Sequence, residues 1–192
     1  MEIRRVKKHD VDMTSGSVFR HLLNFAVPLL MGNIFQQLYN TVDTWVVGNY
    51  VSNEAFSAVG TVAPIINTLI GAFSGLASGA GVVISQYYGA GKYDRVKDAV
   101  HTAVMMTLVL SVAFTAIGIA MTPNMLRLMK TPAEVFPQSR AYLYIYFSGM
   151  AGLMLYNMGA GILRAVGDSK RPFYYLVCAA VINTVLDLVF VI

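Results

Sequence analysis

Residues 21–42 read HLLNFAVPLLMGNIFQQLYNTV and contain no Asp, Glu, Lys or Arg over 22 positions. A bilayer core about 30 Å thick is crossed by roughly 20 helical residues, so this run is long enough for one membrane span. Further along the chain, the runs at 55–91, 99–126 and 141–163 are also free of these four residue types. A fifth apolar run extends from 173 to 192 and is interrupted only by Asp187.

These runs are too long for the strands of a membrane β-barrel, which alternate in segments of about 10 residues. The sequence therefore predicts an all-α fold, a polytopic membrane helical bundle that contains five spans of a six-helix lobe. The helices are predicted near 22–47, 56–87, 99–121, 141–163 and 173–192. Residues 1–20 are predicted to form a cytoplasmic N-terminal tail, and 21–192 an incomplete transmembrane lobe.

The composition of the 192-residue chain agrees with a membrane protein, because 56% of its residues are hydrophobic and only 12% are charged. A soluble domain carries about 25% charged residues, so this chain has too few charges to cover a soluble exterior. The same composition excludes a disordered chain and a nucleic-acid-binding module, although the isoelectric point is near 9.2. A single cysteine excludes a disulfide framework and a metal site built from several cysteines.

The basic residues indicate the orientation of the chain. With the N-terminus in the cytoplasm, 11 Lys and Arg residues lie inside and 3 lie outside, which is the bias expected of a bacterial inner-membrane protein. We therefore expect a multi-pass protein of the plasma membrane with a cytoplasmic N-terminus.

The first predicted helix carries a polar face. Asn33, Gln37, Asn40 and Asp43 follow one another at steps of four, three and three residues, so they lie on one side of the helix. Such a face cannot point into lipid without leaving donors and acceptors unsatisfied, so it must meet protein or water. Hydrogen bonds between helices would explain the amides, and a cap at the outer helix end would explain Asp43.

The last predicted helix carries Asn183 and Asp187 four residues apart, again on one face. A carboxylate within the membrane costs roughly 2.5–3.5 kcal/mol even on mild insertion scales. No Lys or Arg lies within a predicted span, so Asp43 and Asp187 must be either protonated or bound to a small cation. The helices run in the same direction and both acids fall in the outer half, which predicts one shared site for a proton or a sodium ion.

The fourth predicted helix contributes Tyr142 and Asn157 as further candidates for this site. Tyr142 near the outer end is also explained by the aromatic belt of a membrane interface. Asn157 lies nearer the cytoplasmic end, which separates it in depth from the two acids.

Small residues and prolines also bear on the packing of the helices. Gly71, Gly75 and Gly79 recur every four residues in the second helix and predict a ridge for close helix approach. Pro28 removes a backbone hydrogen bond within the first helix, where it forms either a static kink or a hinge.

Four stretches together resemble the N-terminal lobe of bacterial multidrug and toxic compound extrusion (MATE) transporters. They are TSGSVFRHLLNFAVPLLMGNIFQQLYNTVDTWVVG (14–48), SQYYGAGKYDRVKDAV (85–100), ILRAVGDSKRPFYYLV (162–177) and VINTVLDLVF (181–190). Their order, with an aspartate in the first helix, then a Gly-Ala-Gly-Lys loop and an Arg-x-x-Gly-Asp loop, is that of the family.

The resemblance implies an antiporter, not an enzyme, that exports drugs or organic cations in exchange for protons or sodium ions and has no other cofactor. It places Asp43, Asn183 and Asp187 in the family's coupling-ion site, adds Tyr142 and Asn157 more weakly, and makes Pro28 the hinge of the first helix. Family members have twelve helices in two lobes. A second, C-terminal lobe is therefore expected in the same chain, which would make this sequence a fragment.

Two other functions remain open from the residues. A lipid-linked oligosaccharide flippase has a related architecture but would be expected to carry more cationic residues along its cavity. A non-catalytic membrane assembly subunit would suit the short chain. An enzyme that acts on lipid phosphates would need acidic metal-binding clusters, and the acids here are scattered.

Overall fold

The computed structural model describes residues 17–50 and 52–191. The side chains at 18, 39, 43, 47, 187, 188, 190 and 191 lie outside this description, and so does most of the predicted tail 1–20. The described residues form helices and no strands, which confirms the all-α fold. The six helices are α1 (Val18–Tyr50), α2 (Asn53–Gly89), α3 (Tyr93–Leu128), α4 (Phe136–Ser148), α5 (Met150–Ala165) and α6 (Lys170–Val191).

The prediction of one continuous helix at 141–163 is wrong, because this span consists of α4 and α5 with a break at Gly149. At the break the Gly149 N–H donates to the Ile145 carbonyl at 3.1 Å, and the Gly152 N–H donates to the Gly149 carbonyl at 3.1 Å. Two glycines within four residues weaken the helix at this point. The Thr115 hydroxyl of α3 donates to the Phe147 carbonyl at 3.0 Å and ties the break to the neighbouring helix.

Helices α2 to α5 pack around one apolar core and are called the α2–α5 body below. Phe147 at the end of α4 is 1% exposed, and its ring occupies the space that a side chain on Gly118 of α3 would need. Large side chains from all four helices complete this core. Its buried members are Val62, Phe73, Leu126, Leu143, Phe147, Met150 and Met154.

The expected close approach through Gly71, Gly75 and Gly79 is not found among the described residues. No atom lies within 4 Å of the position that a Cβ would take at any of the three glycines. The backbones of α2 and α5 approach each other instead at Ala77 and Gly161, where a Cβ on Gly161 would lie 3.0 Å from the Ala77 carbonyl oxygen. The reason is that Ala77 lies on the face of α2 that carries the buried large residues, whereas the glycine ridge lies on another face.

Helix α1 packs mainly along α6, and the two are called the α1/α6 pair below. Gly32 lies against the side chains of Phe173 and Leu176, and the rings of Phe35 and Phe173 meet edge to face at 5.8 Å. Gly32 has no side chain to hold the two helices apart, which allows this contact.

The neighbour contacts establish the helix directions. Helix α1 runs antiparallel to α2, because its outer residue Gly48 lies against Phe56 near the beginning of α2. Helix α5 runs parallel to α2, since Gly161 meets Ala77 and Ala165 meets Gly81. The chain then reverses between α5 and α6, so α1 and α6 run parallel, as the sequence predicted.

By length and apolar composition, two of the described helices, α2 and α3, are sufficient to cross a membrane. Helix α2 has 37 residues and α3 has 36, so each is longer than the roughly 20 residues that a bilayer core requires.

Candidate functional site

The two predicted acids lie in the α1/α6 pair, Asp43 in α1 and Asp187 in α6. Their side chains fall outside the described residues, so the predicted proton or sodium site remains a prediction. Asn183 of α6 is partly buried, and its side-chain Oδ1 is buried without a hydrogen-bond partner in the part of the chain that the structure describes. An acceptor oxygen in this state is rare, because buried polar atoms are normally hydrogen-bonded.

Asn157 and Tyr142 lie in different surroundings. Asn157 is partly buried in α5, and its Nδ2 donates to the Leu153 carbonyl at 2.9 Å. Tyr142 packs against the apolar core of the α2–α5 body. The structure therefore associates Tyr142 with that core, and Asn157 with a cavity on the other side of α5.

That cavity, called the inner cavity below, has a volume of about 200 Å³ and lies between the α1/α6 pair and helices α2 and α5. Pro28 and Gly32 contribute its wall on α1, and Phe173 and Leu176 contribute its wall on α6. Its polar lining residues are Asn33, Gln36, Ser74, Tyr156, Asn157, Arg164 and Ser169.

A second and wider opening, called the outer cleft below, has a volume of about 640 Å³ and lies between the outer end of α1 and the start of α2. Two threonine hydroxyls in its wall donate to carbonyls of their own helix, from Thr41 to Gln37 at 2.8 Å and from Thr44 to Asn40 at 2.7 Å. The residues that line the outer cleft are Gln37, Asn40, Thr41, Thr44, Trp45, Gly48, Asn49, Asn53 and Phe56.

The polar residues of α1 line more than one opening. Asn33 and Gln37 of the predicted face share a shallow opening on α1 with Thr41. Asn33 and Gln36 line the inner cavity, whereas Gln37, Asn40 and Thr44 line the outer cleft. Successive residues of a helix are rotated by about 100°, so neighbouring amides diverge once both sides of the helix meet protein or open space.

Sequence reasoning missed the contribution of α5 and its following loop to the inner cavity. Tyr156, Arg164 and Ser169 all line it, and Ser169 is 3% exposed. In the sequence, Arg164 stands out only as the first residue of the Arg-x-x-Gly-Asp motif, and nothing in the sequence indicates a cavity there.

The Arg-x-x-Gly-Asp motif, residues 164–168, connects the last turn of α5 to the start of α6. Gly167 has a φ of +89°, in the left-handed region that favours glycine. The Asp168 Oδ1 accepts hydrogen bonds from the backbone N–H groups of Lys170 and Arg171, both at 3.1 Å. The Asp168 Oδ2 lies 3.1 Å from the Arg171 Nε, so this aspartate caps the helix and is paired.

Among the described residues, no group of three or more His, Cys, Asp or Glu side chains is placed to hold a metal ion. The predicted sodium ligands Asp43 and Asp187 were outside that set, so the sodium prediction is untested.

Comparison with known proteins gives a consistent picture. The model of the MatE family matches residues 28–189. The chain is 38% identical over 170 residues to the "Probable multidrug resistance protein YoeA" of Bacillus subtilis (strain 168), covering 88% of this chain and 37% of that protein.

Solved structures show the same likeness. A multidrug resistance MATE family transporter of the MOP superfamily in an outward-facing conformation matches with a TM-score of 0.85 at 26% identity, over 91% of this chain and 39% of its own. A MATE structure in the bent conformation matches with a TM-score of 0.82 at 27% identity, over 91% and 39%. The chain spans about two fifths of the length of these relatives.

Proposed function

This chain belongs to the MatE family, and on that basis we propose that it is part of an antiporter that exports drugs or organic cations in exchange for protons or sodium ions. It acts in the plasma membrane, not as an enzyme, and together with a second lobe. The observation that carries the proposal is the parallel packing of α1 on α6 at Gly32 and Leu176.

This contact sets the relative height of the two acids. Asp43 lies eleven residues after Gly32, and Asp187 lies eleven residues after Leu176. Eleven residues are about three helical turns, or roughly 17 Å along each axis. In this proposal the two acidic positions therefore lie at about the same depth along α1 and α6.

Asn183 supports a cation at this level, because it lies one helical turn before Asp187. Its Oδ1 is buried and has no donor among the described residues. A sodium ion would accept this oxygen as a ligand, and a protonated carboxyl group would donate to it.

A carboxylate within the membrane is costly unless it is protonated or bound to a cation. No Lys or Arg within a predicted span neutralises Asp43 or Asp187. Binding of a proton or sodium ion therefore removes an unfavourable charge from the α1/α6 pair, and its release toward the other side restores that charge. This change in charge is the step that couples ion entry to movement of the helices.

Pro28 and Asn157 have supporting roles in this proposal. Pro28 interrupts the hydrogen-bond ladder of α1 at the wall of the inner cavity, fifteen residues before Asp43, where bending would move the outer half of α1. Asn157 faces the same cavity and would guide water or a proton toward the site. Tyr142 is retained as a more distant contributor, through its packing in the α2–α5 body.

The test compares Asp43→Asn and Asp187→Asn in the full-length protein, reconstituted in vesicles and assayed for ethidium transport. We expect each variant to lose about tenfold or more of the ion-driven rate, because a neutral amide neither takes up nor releases a proton and binds sodium weakly. Separate pH and sodium gradients identify the coupling ion.

Asp98→Asn is the matched control, since Asp98 is an exposed carboxylate near the start of α3. It should transport at the wild-type rate. If both membrane variants kept the wild-type rate and its ion dependence, the proposed coupling site would be wrong. If the wild-type protein moved no ethidium under either gradient, the proposed transport of organic cations would be wrong.

A further inference from the structure

One charged side chain lines the cavities described above, and it is a cation. Arg164, in the last turn of α5, lies in the wall of the inner cavity. None of the described residues that line the inner cavity or the outer cleft is an acid. A guanidinium at this place repels an organic cation and attracts an anion. Among its described lining residues, the inner cavity therefore carries a positive charge at its cytoplasmic end, where the side chain of Arg164 is exposed.

Arg164 has no ion-pair partner in the described part of the chain. The one ion pair there joins Arg171 to Asp168. Asp168 is four residues from Arg164, but its two oxygens are already engaged by the start of α6 and by the Arg171 side chain. The guanidinium of Arg164 therefore keeps its donors for another acceptor.

The groups beside Arg164 suit an anion. Tyr156 and Ser169 line the same cavity, and both carry hydroxyl groups that can donate. The Tyr156 hydroxyl lies 3.5 Å from the Pro172 carbonyl, at the limit of a hydrogen bond, so a closer acceptor would displace this contact. Carboxylates and phosphates are recognised by such a combination of a guanidinium fork and hydroxyl donors.

We propose that the inner cavity binds an anionic group, a carboxylate or a phosphate, through the guanidinium of Arg164. The cavity volume of about 200 Å³ is below the range of about 300–1,000 Å³ of sites for whole drug-sized molecules. The site therefore holds only the anionic end of a larger solute or of a lipid headgroup. Because Arg164 lies at the predicted cytoplasmic end of α5, this group enters from the cytoplasmic side.

This inference rests on the proposed function in one respect, since it concerns how the same transporter would hold a solute that carries an anionic group. A simpler role for Arg164 is stabilisation of the C-terminal end of α5, where a cation is favoured by the helix dipole. If Arg164 had only that role, its substitution would affect the binding of charged and uncharged solutes equally. The experiment therefore compares solutes that differ in charge.

The solute arm measures equilibrium binding of ciprofloxacin, which has a carboxylate, and of its methyl ester, which does not, to the full-length protein. Arg164→Gln is expected to weaken ciprofloxacin binding about tenfold, because one charge-assisted hydrogen-bonding group is lost. Binding of the ester and of ethidium should stay within about twofold of wild type. Arg164→Lys should retain part of the preference for the acid. Lys170→Gln, an exposed cation six residues further on that does not line the cavity, should bind both like wild type.

The lipid arm measures the unfolding temperature of the same variants in detergent with added short-chain phosphatidylglycerol or phosphatidylcholine. Stabilisation by phosphatidylglycerol that Arg164→Gln removes and Lys170→Gln keeps identifies a lipid headgroup as the source of the anion. An Arg164-dependent preference for the anion in either arm supports the proposal, and the absence of such a preference in both overturns it. Neither arm requires transport, so a failure of the proposed antiport would be recognised separately, as absence of ethidium transport.

Discussion

The α2–α5 body and the α1/α6 pair are built from similar apolar sequences but differ in how they pack. In the body, Phe147 fills the space above Gly118 and the backbone of Gly161 touches Ala77. In the pair, the described side chains of α1 and α6 are mostly exposed, and the buried positions among them are Gly32, Val46 and Pro172. The inner cavity lies where the two units meet.

This difference indicates a division of labour. The core of the body is apolar and packed around Phe147, at the density that is usual in protein interiors. The pair carries the proline, the polar residues and the two acidic positions, and it borders open volume on both sides. In the proposed function the pair changes its arrangement when an ion binds, and the open volume on both sides leaves room for this movement.

Removal of the central ring of the body should have the largest effect on stability. Phe147→Ala is expected to lower the free energy of unfolding by about 2–3 kcal/mol. The transfer term is small when an unfolded helix remains in lipid, but a cavity of roughly 100 Å³ costs about 24 cal/mol per Å³. Thermal unfolding of the detergent-solubilised protein measures this loss.

Phe56→Ala is the control for this substitution, because Phe56 is 46% exposed at the start of α2. It should shift the unfolding temperature little. Equal losses for Phe147→Ala and Phe56→Ala would contradict the contrast between a packed body and open surroundings.

A methyl group added to the body should have an intermediate effect. Gly118→Ala forces the Phe147 ring to move, and overpacking of this kind costs about 1–3 kcal/mol. The gain in helix propensity from Gly to Ala offsets about 1 kcal/mol of that, which leaves a net loss of roughly 1 kcal/mol in the same unfolding measurement.

Gly75→Ala sharpens this comparison because it should have the opposite sign. No atom lies within 4 Å of its Cβ position, so only the propensity gain of about 1 kcal/mol remains. A destabilised Gly75→Ala variant would mean that this face of α2 is packed in the full-length protein.

The smallest effect on stability is expected in the pair. Pro28→Ala restores a backbone donor in α1 and should leave the unfolding temperature unchanged or raise it. Ethidium transport should nevertheless fall several-fold if bending at Pro28 accompanies ion binding. A variant with wild-type transport would show that Pro28 is only a static feature of α1.

Much of the fold followed from the sequence. The five predicted spans are confirmed as helical regions, although α4 and α5 divide one of them at Gly149. Gly149 and Gly152 were visible in the sequence, but two glycines in a membrane helix do not reveal a break. The break is stabilised by Thr115, more than thirty residues earlier in the chain, and such a contact has no local signal.

The candidate site was predicted less completely. Asn183 was identified from its spacing to Asp187, and its buried, unpartnered oxygen agrees with a ligand role. The described residues include no packing partner for the glycine ridge of α2, and the sequence did not indicate that Arg164 lines a cavity. In both cases the sequence shows which residue is present, but not what surrounds it in the fold.

The sequence by itself determined an all-α membrane protein, its helix count to within one break, and its resemblance to one transporter family. These properties depend on charge, hydropathy and spacing along the chain. The thickness of the bilayer sets how many apolar residues each membrane helix needs. Only the tertiary structure brought Gly32 to Leu176 and placed Arg164 in the wall of a cavity whose described lining residues include no acid. These contacts depend on which helix surfaces fit together across distant parts of the chain. The sequence of one helix does not show which of its faces will pack against a neighbour.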